Sequence, residues 1–159
     1  MIILDAYAVL ALFRDELAAP IVQEFLESEE QGALSVLGVT EVLDHLVRHL
    51  GADEDDAVLD LAQLGLASPI PVDSSLAIQA GLLRARHYHR TSRAVSLADC
   101  MAAVTARVHN APLASADPHL LDLCCEENIA IVALPDSTGR VWSPDEVTRS
   151  APFGDQDSD

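Results

Sequence analysis

The chain has no lysine, few aromatic residues and only three cysteines, and each shortage excludes some structures or classes of protein. With three Phe, two Tyr and one Trp, the aliphatic residues must fill most of the interior. The odd number of cysteines rules out a complete internal set of disulfides, and no Cys–Cys or Cys–His spacing is typical of a zinc site. We therefore expect core thiols at Cys100, Cys124 and Cys125.

The chain also lacks a targeting signal and a long apolar run. Met1 is followed directly by three apolar residues and an acid, without the basic segment and cleavage site of a signal peptide. The apolar stretch Ala6–Phe13 is far shorter than the roughly 20 residues that a membrane-spanning helix needs. These absences predict a cytoplasmic protein with no membrane partner.

The charge of the chain is strongly negative but unevenly distributed. Its 159 residues suit one domain, and half of them are apolar, which is enough for a sizeable core. A formal net charge of −17 argues by itself against a nucleic-acid partner. Residues 74–98, however, contain no acid and hold four of the nine arginines: Arg84, Arg86, Arg90 and Arg93. This segment suits either an exposed helix end or a surface that follows a phosphate backbone.

Strand-like and helix-like patterns alternate along most of the chain. Short apolar runs at 1–4, 33–36, 70–72, 111–114 and 129–134 predict five strands, and the amphipathic segments between them predict helices. This alternation predicts a single α/β domain over residues 1–135, with a parallel five-stranded sheet between helices. Residues 136–159 are polar and acidic, and we expect them to form a partly ordered C-terminal extension.

Four carboxylates occupy places where a strand pattern gives way to a helix pattern: Asp5, Glu41, Asp99 and Asp117. Right-handed crossovers bring such junctions to one edge of a parallel sheet, so four sequence-distant acids are expected to converge there. A cluster of carboxylates is unfavourable unless a cation neutralises it, and Mg²⁺ prefers oxygen ligands. The pattern therefore predicts a Mg²⁺ or Mn²⁺ site and a metal-dependent nuclease.

Each of these acids also has a simpler explanation in helix geometry. Asp5 and Asp117 suit the N-cap position, and Asp117 precedes a proline that suits the first helical turn. Residues 96–99, Ser-Leu-Ala-Asp, approximate a capping box. Glu41 lies in the first turn of a helix predicted over 39–50, where its charge is favourable for the helix dipole.

The predicted helix of Glu41 carries two histidines. His45 and His49 follow Glu41 by four and eight residues, but no third soft ligand is evident near them in the sequence. We therefore predict a solvated helix face, with Asp44 and Arg48 forming an i,i+4 ion pair.

The segments around the four acids resemble the PIN-domain family, and within it the VapC-type toxin ribonucleases. The resemblance covers about residues 1–135 and is carried in the family's order by Ile-Leu-Asp-Ala-Tyr-Ala-Val-Leu at 3–10, Val-Thr-Glu-Val at 39–42, Val-Ser-Leu-Ala-Asp at 95–99 and Pro-Leu-Ala-Ser-Ala-Asp at 112–117. The chain departs from the family at Tyr7, where Ser, Thr or Asn is common, and at Ala116, where a basic neighbour of Asp117 is missing.

The resemblance implies a small three-layer α/β domain with Mg²⁺- or Mn²⁺-dependent endoribonuclease activity. It implies that Asp5, Glu41, Asp99 and Asp117 are catalytic. We expect Asp5 and Asp99 to bind the metal directly, and Asp117 and Glu41 to bind it through water or to hold a second ion. Candidate substrate contacts are the hydroxyl of Ser115 and the arginines of the acid-free segment, Arg84, Arg86, Arg90 and Arg93.

The resemblance further implies the partners of such a protein. They are an RNA substrate, a second copy of the chain in a homodimer, and a cognate antitoxin, as in a type II toxin–antitoxin pair. The alternative is a catalytically inactive PIN-like module that binds RNA or protein without cutting.

Two other classes of protein with acids at strand ends are disfavoured. A phosphoacceptor receiver domain needs a lysine near the phosphorylated aspartate, and the chain has none. A haloacid-dehalogenase-type phosphatase needs an aspartate two residues after Asp5, where Tyr7 stands.

Overall fold

A computed structural model of the protein describes residues 1–29 and 31–144. Its four strands form one parallel sheet in the order β2-β1-β3-β4, with β1 at Ile2–Leu4, β2 at Gly32–Ala33, β3 at Leu113–Ser115 and β4 at Ile131–Ala133. The sheet is flanked by seven helices of the described residues, α1 Ala6–Phe13, α2 Ala19–Glu27, α3 Val36–Arg48, α4 Glu54–Gln63, α5 Ser74–His87, α6 Leu97–Val108 and α7 Pro118–Glu126. The predicted α/β class and parallel sheet are confirmed.

The sheet has four strands in the described residues, so the prediction of five is wrong. The missing strand is the one predicted near Ile70, which forms only a single parallel bridge with Ser35. The carbonyl oxygen of Ile70 accepts the N–H of Val36 at 3.1 Å. Pro69 and Pro71 stand on either side of Ile70 and have no N–H to donate, so the ladder cannot continue there.

The register of the sheet brings the ends of β1 and β3 side by side. Leu4 pairs with Ala114, so Asp5 and Ser115 are the next residues along at the carboxyl edge. The N–H of Asp5 donates to the carbonyl oxygen of Ala114 at 3.1 Å, which extends the pairing to that edge. The sheet therefore places a carboxylate and a hydroxyl from distant parts of the chain next to each other.

Two hydrophobic clusters cover the two faces of the sheet. Ile2 and Leu4 pack into one cluster with residues of α1, α2, α3 and α4. Ile3 and Leu113 point to the other face and pack with residues of α5, α6 and α7. The second cluster contains the buried thiols of Cys100 and Cys124, whereas Cys125 is exposed, so the prediction of a core thiol there is wrong. The sandwich of two helical layers around one sheet is the predicted three-layer arrangement.

Side-chain caps begin six of the seven described helices, and one of them changes the predicted position of Glu41. The hydroxyl of Ser35 accepts the N–H of Gly38 at 3.1 Å, so α3 begins at Val36 instead of Val39. Glu41 consequently lies in the second turn of α3, and its predicted place in the first turn is wrong. None of the described helices is both long and apolar enough to cross a membrane.

The described part of the predicted C-terminal extension folds back onto the domain. Pro135 forms an antiparallel bridge with Val141, and the indole N–H of Trp142 donates to the carboxylate of Asp122 on α7 at 2.8 Å. The remainder of the predicted extension, residues 145–159, lies outside the described residues.

Candidate active site

All four acids predicted from the sequence line one cleft at the carboxyl edge of the sheet. The cleft has a volume of about 330 Å³ and lies between α1, α3, the start of α6 and the loop after β3. Asp5 follows β1, Glu41 comes from α3, Asp99 from the first turn of α6, and Asp117 from the N-cap of α7. Four separate elements thus bring their carboxylates to one solvent-accessible space.

Asp5 is the most deeply buried of the four, with 6% of its surface exposed. It caps α1 by accepting the N–H of Tyr7 on Oδ1 at 2.8 Å, and its Oδ2 accepts the hydroxyl of Ser115. Burial raises the pKa of Asp5 to about 7. The hydrogen bond from Ser115 opposes this rise, and the nearby charges of Asp99 and Asp117 add to it.

Asp99 is held by a capping box at the start of α6. Its Oδ2 accepts the N–H of Ser96 at 2.6 Å, while the hydroxyl of Ser96 accepts the N–H of Asp99 at 3.0 Å. The predicted capping box is therefore confirmed. Burial raises the pKa of Asp99, the hydrogen bond with the Ser96 backbone lowers it, and the charge of Asp117 raises it further. No hydrogen bond within the described residues uses Oδ1 of Asp99.

Asp117 and Glu41 complete the acidic lining. Oδ1 of Asp117 caps α7 by accepting the N–H groups of His119 at 2.8 Å and Leu120 at 3.4 Å. Burial raises the pKa of Glu41, and the charges of Asp99 and Asp117 add to the effect. In the described part of the chain, no hydrogen bond uses Oδ2 of Asp117 or either carboxylate oxygen of Glu41. Helix capping thus fixes Asp99 and Asp117 through one oxygen and leaves the second for the cleft, whereas both oxygens of Asp5 accept hydrogen bonds.

Ser115 lies behind the carboxylates and does not line the cleft. The residue is fully buried, and its hydroxyl donates to Asp5 while accepting the N–H of Asp117 at 3.0 Å. The hydroxyl therefore donates to one acid, Asp5, and accepts from the backbone of another, Asp117. This arrangement orients Asp5 and Asp117 and leaves the hydroxyl no path to a substrate.

The acids fit a divalent cation in their chemistry but do not form a closed cage. Within residues 1–29 and 31–144, no three His, Cys, Asp or Glu side chains lie close enough together to coordinate one ion. Mg²⁺ commonly keeps several waters and takes only one or two carboxylates, so a three-residue cage is not required. Asp99 and Glu41 keep carboxylate oxygens that accept no hydrogen bond from the described residues. Burial raises the pKa values of Asp5, Glu41 and Asp99, and a bound cation would offset the cost of their ionised forms.

A comparison with protein-family models, which covers most of the sequence, identifies the family of the protein. The model of the PIN domain matches residues 2–124. The chain belongs to the PIN-domain family. No curated protein sequence matches the chain significantly.

Solved structures show the same PIN fold at low sequence identity. The toxin–antitoxin complex from Klebsiella pneumoniae is 19% identical, with a TM-score of 0.55 and coverage of 74% of this chain and 87% of that chain. FitAcB from Neisseria gonorrhoeae is 20% identical, with a TM-score of 0.58 and coverage of 82% and 96%. FitAB bound to an IR36 DNA fragment is 19% identical, with a TM-score of 0.60 and coverage of 83% and 94%. At these identities the likeness establishes the fold alone.

The cleft of this PIN domain contains five polar residues that the sequence does not predict as site residues: Tyr7, Arg14, His45, Asp136 and Ser137. His45 stands four residues after Glu41 and hence on the same helix face, which is a signal in the sequence. The predicted solvated face is present at His49, which is exposed, whereas His45 is half-buried and contacts Arg14 in the cleft. The predicted ion pair of Asp44 with Arg48 on this helix is present at 2.8 Å.

Two of the arginines predicted to contact substrate are engaged in ion pairs with acids at the C-terminal end of α7. Arg86 lies 3.2 Å from Glu127, and Arg93 makes two contacts of 2.8 and 2.5 Å with Glu126. His87 lies between these pairs, with its Nε2 2.6 Å from Glu127. The segment that lacks acids in the sequence thus receives them from another helix, and much of its positive charge is locally neutralised.

The other two arginines of the segment are less constrained. The guanidinium of Arg84 lies 4.1 Å from the centre of the Tyr88 ring, and its Nε donates to the carbonyl oxygen of Val95 at 3.1 Å. Arg84 is also close enough to Asp99 for its charge to lower the pKa of that carboxyl. Arg90 is exposed and forms no ion pair within the described residues. Arg84 and Arg90 are therefore better placed than Arg86 and Arg93 to meet a ligand.

Proposed function

We propose that this PIN domain is a Mg²⁺- or Mn²⁺-dependent endoribonuclease and the toxin of a type II toxin–antitoxin pair. The observation that carries the proposal is the single cleft lined by Asp5, Glu41, Asp99 and Asp117. PIN domains are generally nucleases, and a site that gathers oxygen ligands for a metal suits the hydrolysis of a phosphodiester.

In the proposed reaction the protein itself provides ligands and their orientation. Asp5 and Asp99 would hold the cation directly, and Glu41 and Asp117 would hold it through water or bind a second ion. When bound, the cation supplies a water of lowered pKa and neutralises charge on the phosphate oxygens. The hydroxyl of Ser115 and the capping hydrogen bonds keep the aspartates in place before substrate arrives.

A covalent mechanism through a cysteine finds no support in this site. Burial raises the pKa of Cys100 to about 11 and the pKa of Cys124 to about 12. Both thiols lie in the hydrophobic core and stay protonated at neutral pH, so they are poor nucleophiles. Hydrolysis by water is the chemistry that the cleft favours.

The proposed partners are RNA, a cognate antitoxin and a second copy of the chain. The acidic cleft suits an inserted arginine of an antitoxin, since a guanidinium pairs with carboxylates through two parallel hydrogen bonds. The similarity to the toxin–antitoxin complex from Klebsiella pneumoniae supports this choice of partner. Arg84 and Arg90 are the proposed guides for the RNA backbone, and the cytoplasm is the proposed compartment.

The test is cleavage of single-stranded RNA by the purified full-length protein with Mg²⁺ or Mn²⁺, compared with the same reaction in EDTA. We expect Asp5→Asn and Asp99→Asn to reduce cleavage to the level of the EDTA control. Asp56→Asn removes an exposed acid on α4 and serves as the matched control with full activity. Cleavage at the wild-type rate by both cleft variants would refute the proposal.

The second candidate is a PIN-like module that binds RNA or protein without cutting. The lack of a preformed three-residue metal cage among the described residues favours it, as does Tyr7 in place of a small polar residue. This candidate predicts RNA or protein binding by the wild-type protein that EDTA and Asp99→Asn leave unchanged, with no metal-dependent cleavage.

A further inference from the structure

A basic pair lies in the same cleft as the four carboxylates. Arg14 stands at the C-cap of α1 and His45 in the third turn of α3, and both line the cleft. Nη2 of Arg14 and Nε2 of His45 are in hydrogen-bond contact. The cleft therefore has carboxylates suited to a cation and, in the same space, one positively charged guanidinium.

The guanidinium of Arg14 is held in place from its other side. Its Nη1 lies 3.3 Å from one carboxylate oxygen of Glu16, and the hydroxyl of Tyr7 lies 2.9 Å from the other oxygen. Burial raises the pKa of Tyr7, and the hydrogen bond with Glu16 adds to this, so the phenol keeps its proton as a donor. Tyr7, one of the two residues at which this chain departs from its family's pattern, thus holds Glu16 in place and through it orients Arg14.

These contacts orient Arg14 without using all of its donors. A guanidinium has five N–H groups, and within the described residues only the two terminal nitrogens of Arg14 are engaged, by Glu16 and His45. Burial lowers the pKa of His45, and the charge of Arg14 adds to the effect, so the ring accepts from Arg14. Arg14 keeps 29% of its side chain exposed at the cleft, with free donors for an anion.

We propose that Arg14, oriented by Glu16 and His45, binds a backbone phosphate adjacent to the scissile one in the RNA substrate. The inference rests on the ribonuclease function proposed above. A chain with a net charge of −17 and an acid-lined cleft repels a polyanion, and Arg14 is the only arginine among the described residues that line this cleft. Glu16 pairs with one terminal nitrogen of Arg14 at 3.3 Å, and the remaining N–H groups that face the cleft can meet a phosphate. The planar fork of arginine matches two oxygens of one phosphate.

The first test measures binding of a short fluorescein-labelled single-stranded RNA by anisotropy in Mg²⁺. The full-length Asp99→Asn protein serves as the parent, because we expect it to bind the RNA without cutting it. Adding Arg14→Gln is expected to raise the Kd roughly tenfold, the loss of one charge-assisted hydrogen-bond pair. The slope of log K against log salt is expected to become shallower by roughly 0.7, as for one lost phosphate contact.

Arg48→Gln in the same parent is the matched control. The Arg48→Gln substitution removes the same charge from the neighbouring surface of α3. The side chain of Arg48 is 67% exposed and pairs with Asp44 outside the cleft. We expect its Kd to stay within roughly twofold of the parent, because an exposed charge contributes little. Arg14→Lys keeps the charge but loses the fork, so we expect an intermediate Kd with the parent's salt slope.

A kinetic measurement on the catalytically intact protein completes the test. Arg14→Gln is expected to raise KM for the RNA with little change in kcat, since the contact is made to the bound substrate and not to the reacting atoms. If Arg14→Gln leaves the Kd, the salt slope and the KM unchanged, the inference is overturned. It is also overturned if Arg14→Gln abolishes binding of a protein partner while RNA binding stays intact. If the wild-type protein neither binds nor cuts RNA, the ribonuclease function itself is refuted and this inference falls with it.

Discussion

Replacing Asp5 by asparagine is expected to stabilise the metal-free protein at alkaline pH while abolishing RNA cleavage. Burial raises the pKa of Asp5 from 3.8 to about 7, and the charges of Asp99 and Asp117 contribute. A pKa raised by folding adds stability at low pH, and that stability is lost as the pH rises from about 4 through about 7. Asparagine can accept the N–H of Tyr7 and donate to the hydroxyl of Ser115, so it keeps a hydrogen bond to each residue, with the direction of the second one reversed.

The size of the effect follows from the shift in pKa. A rise from 3.8 to about 7 corresponds to at most about 4 kcal/mol, at about 1.4 kcal/mol per unit. Between about pH 5.5 and about pH 8 the variant should therefore gain about 2 kcal/mol relative to wild type. Interactions that lower the pKa values of Glu126, Glu127 and Asp136 act in the opposite direction, but they are the same in both proteins.

The assay is urea unfolding followed by circular dichroism, with EDTA present, at both pH values. We expect the free energy of unfolding of Asp5→Asn to exceed that of wild type at the higher pH, with a smaller gap at the lower pH. Added Mg²⁺ should then stabilise wild type but not the variant, because only the wild-type site binds the ion. A variant that is less stable than wild type at the higher pH, or a difference in stability that does not change with pH, would refute the assignment of a buried carboxylate with a raised pKa.

Three further substitutions test the groups that support the site. Ser115→Ala removes a buried donor from Asp5, so we expect its pKa, measured by carboxyl NMR, to rise further and cleavage to fall. Ser96→Ala removes the cap that orients Asp99; unfolding should show a loss of about 1 kcal/mol, and cleavage assays lower activity. Thr105→Val replaces a buried hydroxyl that has no hydrogen-bond partner among the described residues, and urea unfolding should show a gain of about 1 kcal/mol at unchanged activity.

An exposed serine provides the control for these variants. Ser68 is exposed and lies away from the cleft, so Ser68→Ala should change neither the free energy of unfolding nor RNA cleavage. A Ser96→Ala protein with wild-type stability and activity would contradict the role of the capping box. A Ser115→Ala protein in which the pKa of Asp5 falls would contradict the proposed support of that carboxylate. A destabilised Thr105→Val protein would show that the hydroxyl has a partner in solution.

Much of the acidic lining is predictable from the sequence because it depends on local rules. Asp5 and Asp117 directly precede helices and act as N-caps, and Ser96 with Asp99 forms a capping box whose two members are three residues apart. The crossover rule for parallel strands then brings the strand ends to one edge. The predicted start of the helix that carries Glu41 was wrong, because Ser35 caps α3 and the helix begins three residues earlier. Glu41 therefore lies in the second turn of α3.

The predicted strand near Ile70 and the predicted arginine surface show a different kind of failure. The apolar run at Ile70 is compatible with a strand, but the flanking prolines remove the donors that a ladder needs. Arg86 and Arg93 look free in the sequence because the acids that pair with them, Glu126 and Glu127, come from a helix some 30 to 40 residues later. Composition within a segment cannot reveal a charge supplied from outside it.

The sequence by itself determined the family, the α/β class and the positions of the carboxylates at element ends, because periodicity, capping and handedness act over a few residues. Only the tertiary structure decided which side chains meet across the cleft. Ser115 reaches Asp5 from 110 positions away, and Arg14 meets His45 from 31 positions away. Such contacts depend on how whole helices and strands pack, and the packing sets the distances that shift a pKa or orient a guanidinium.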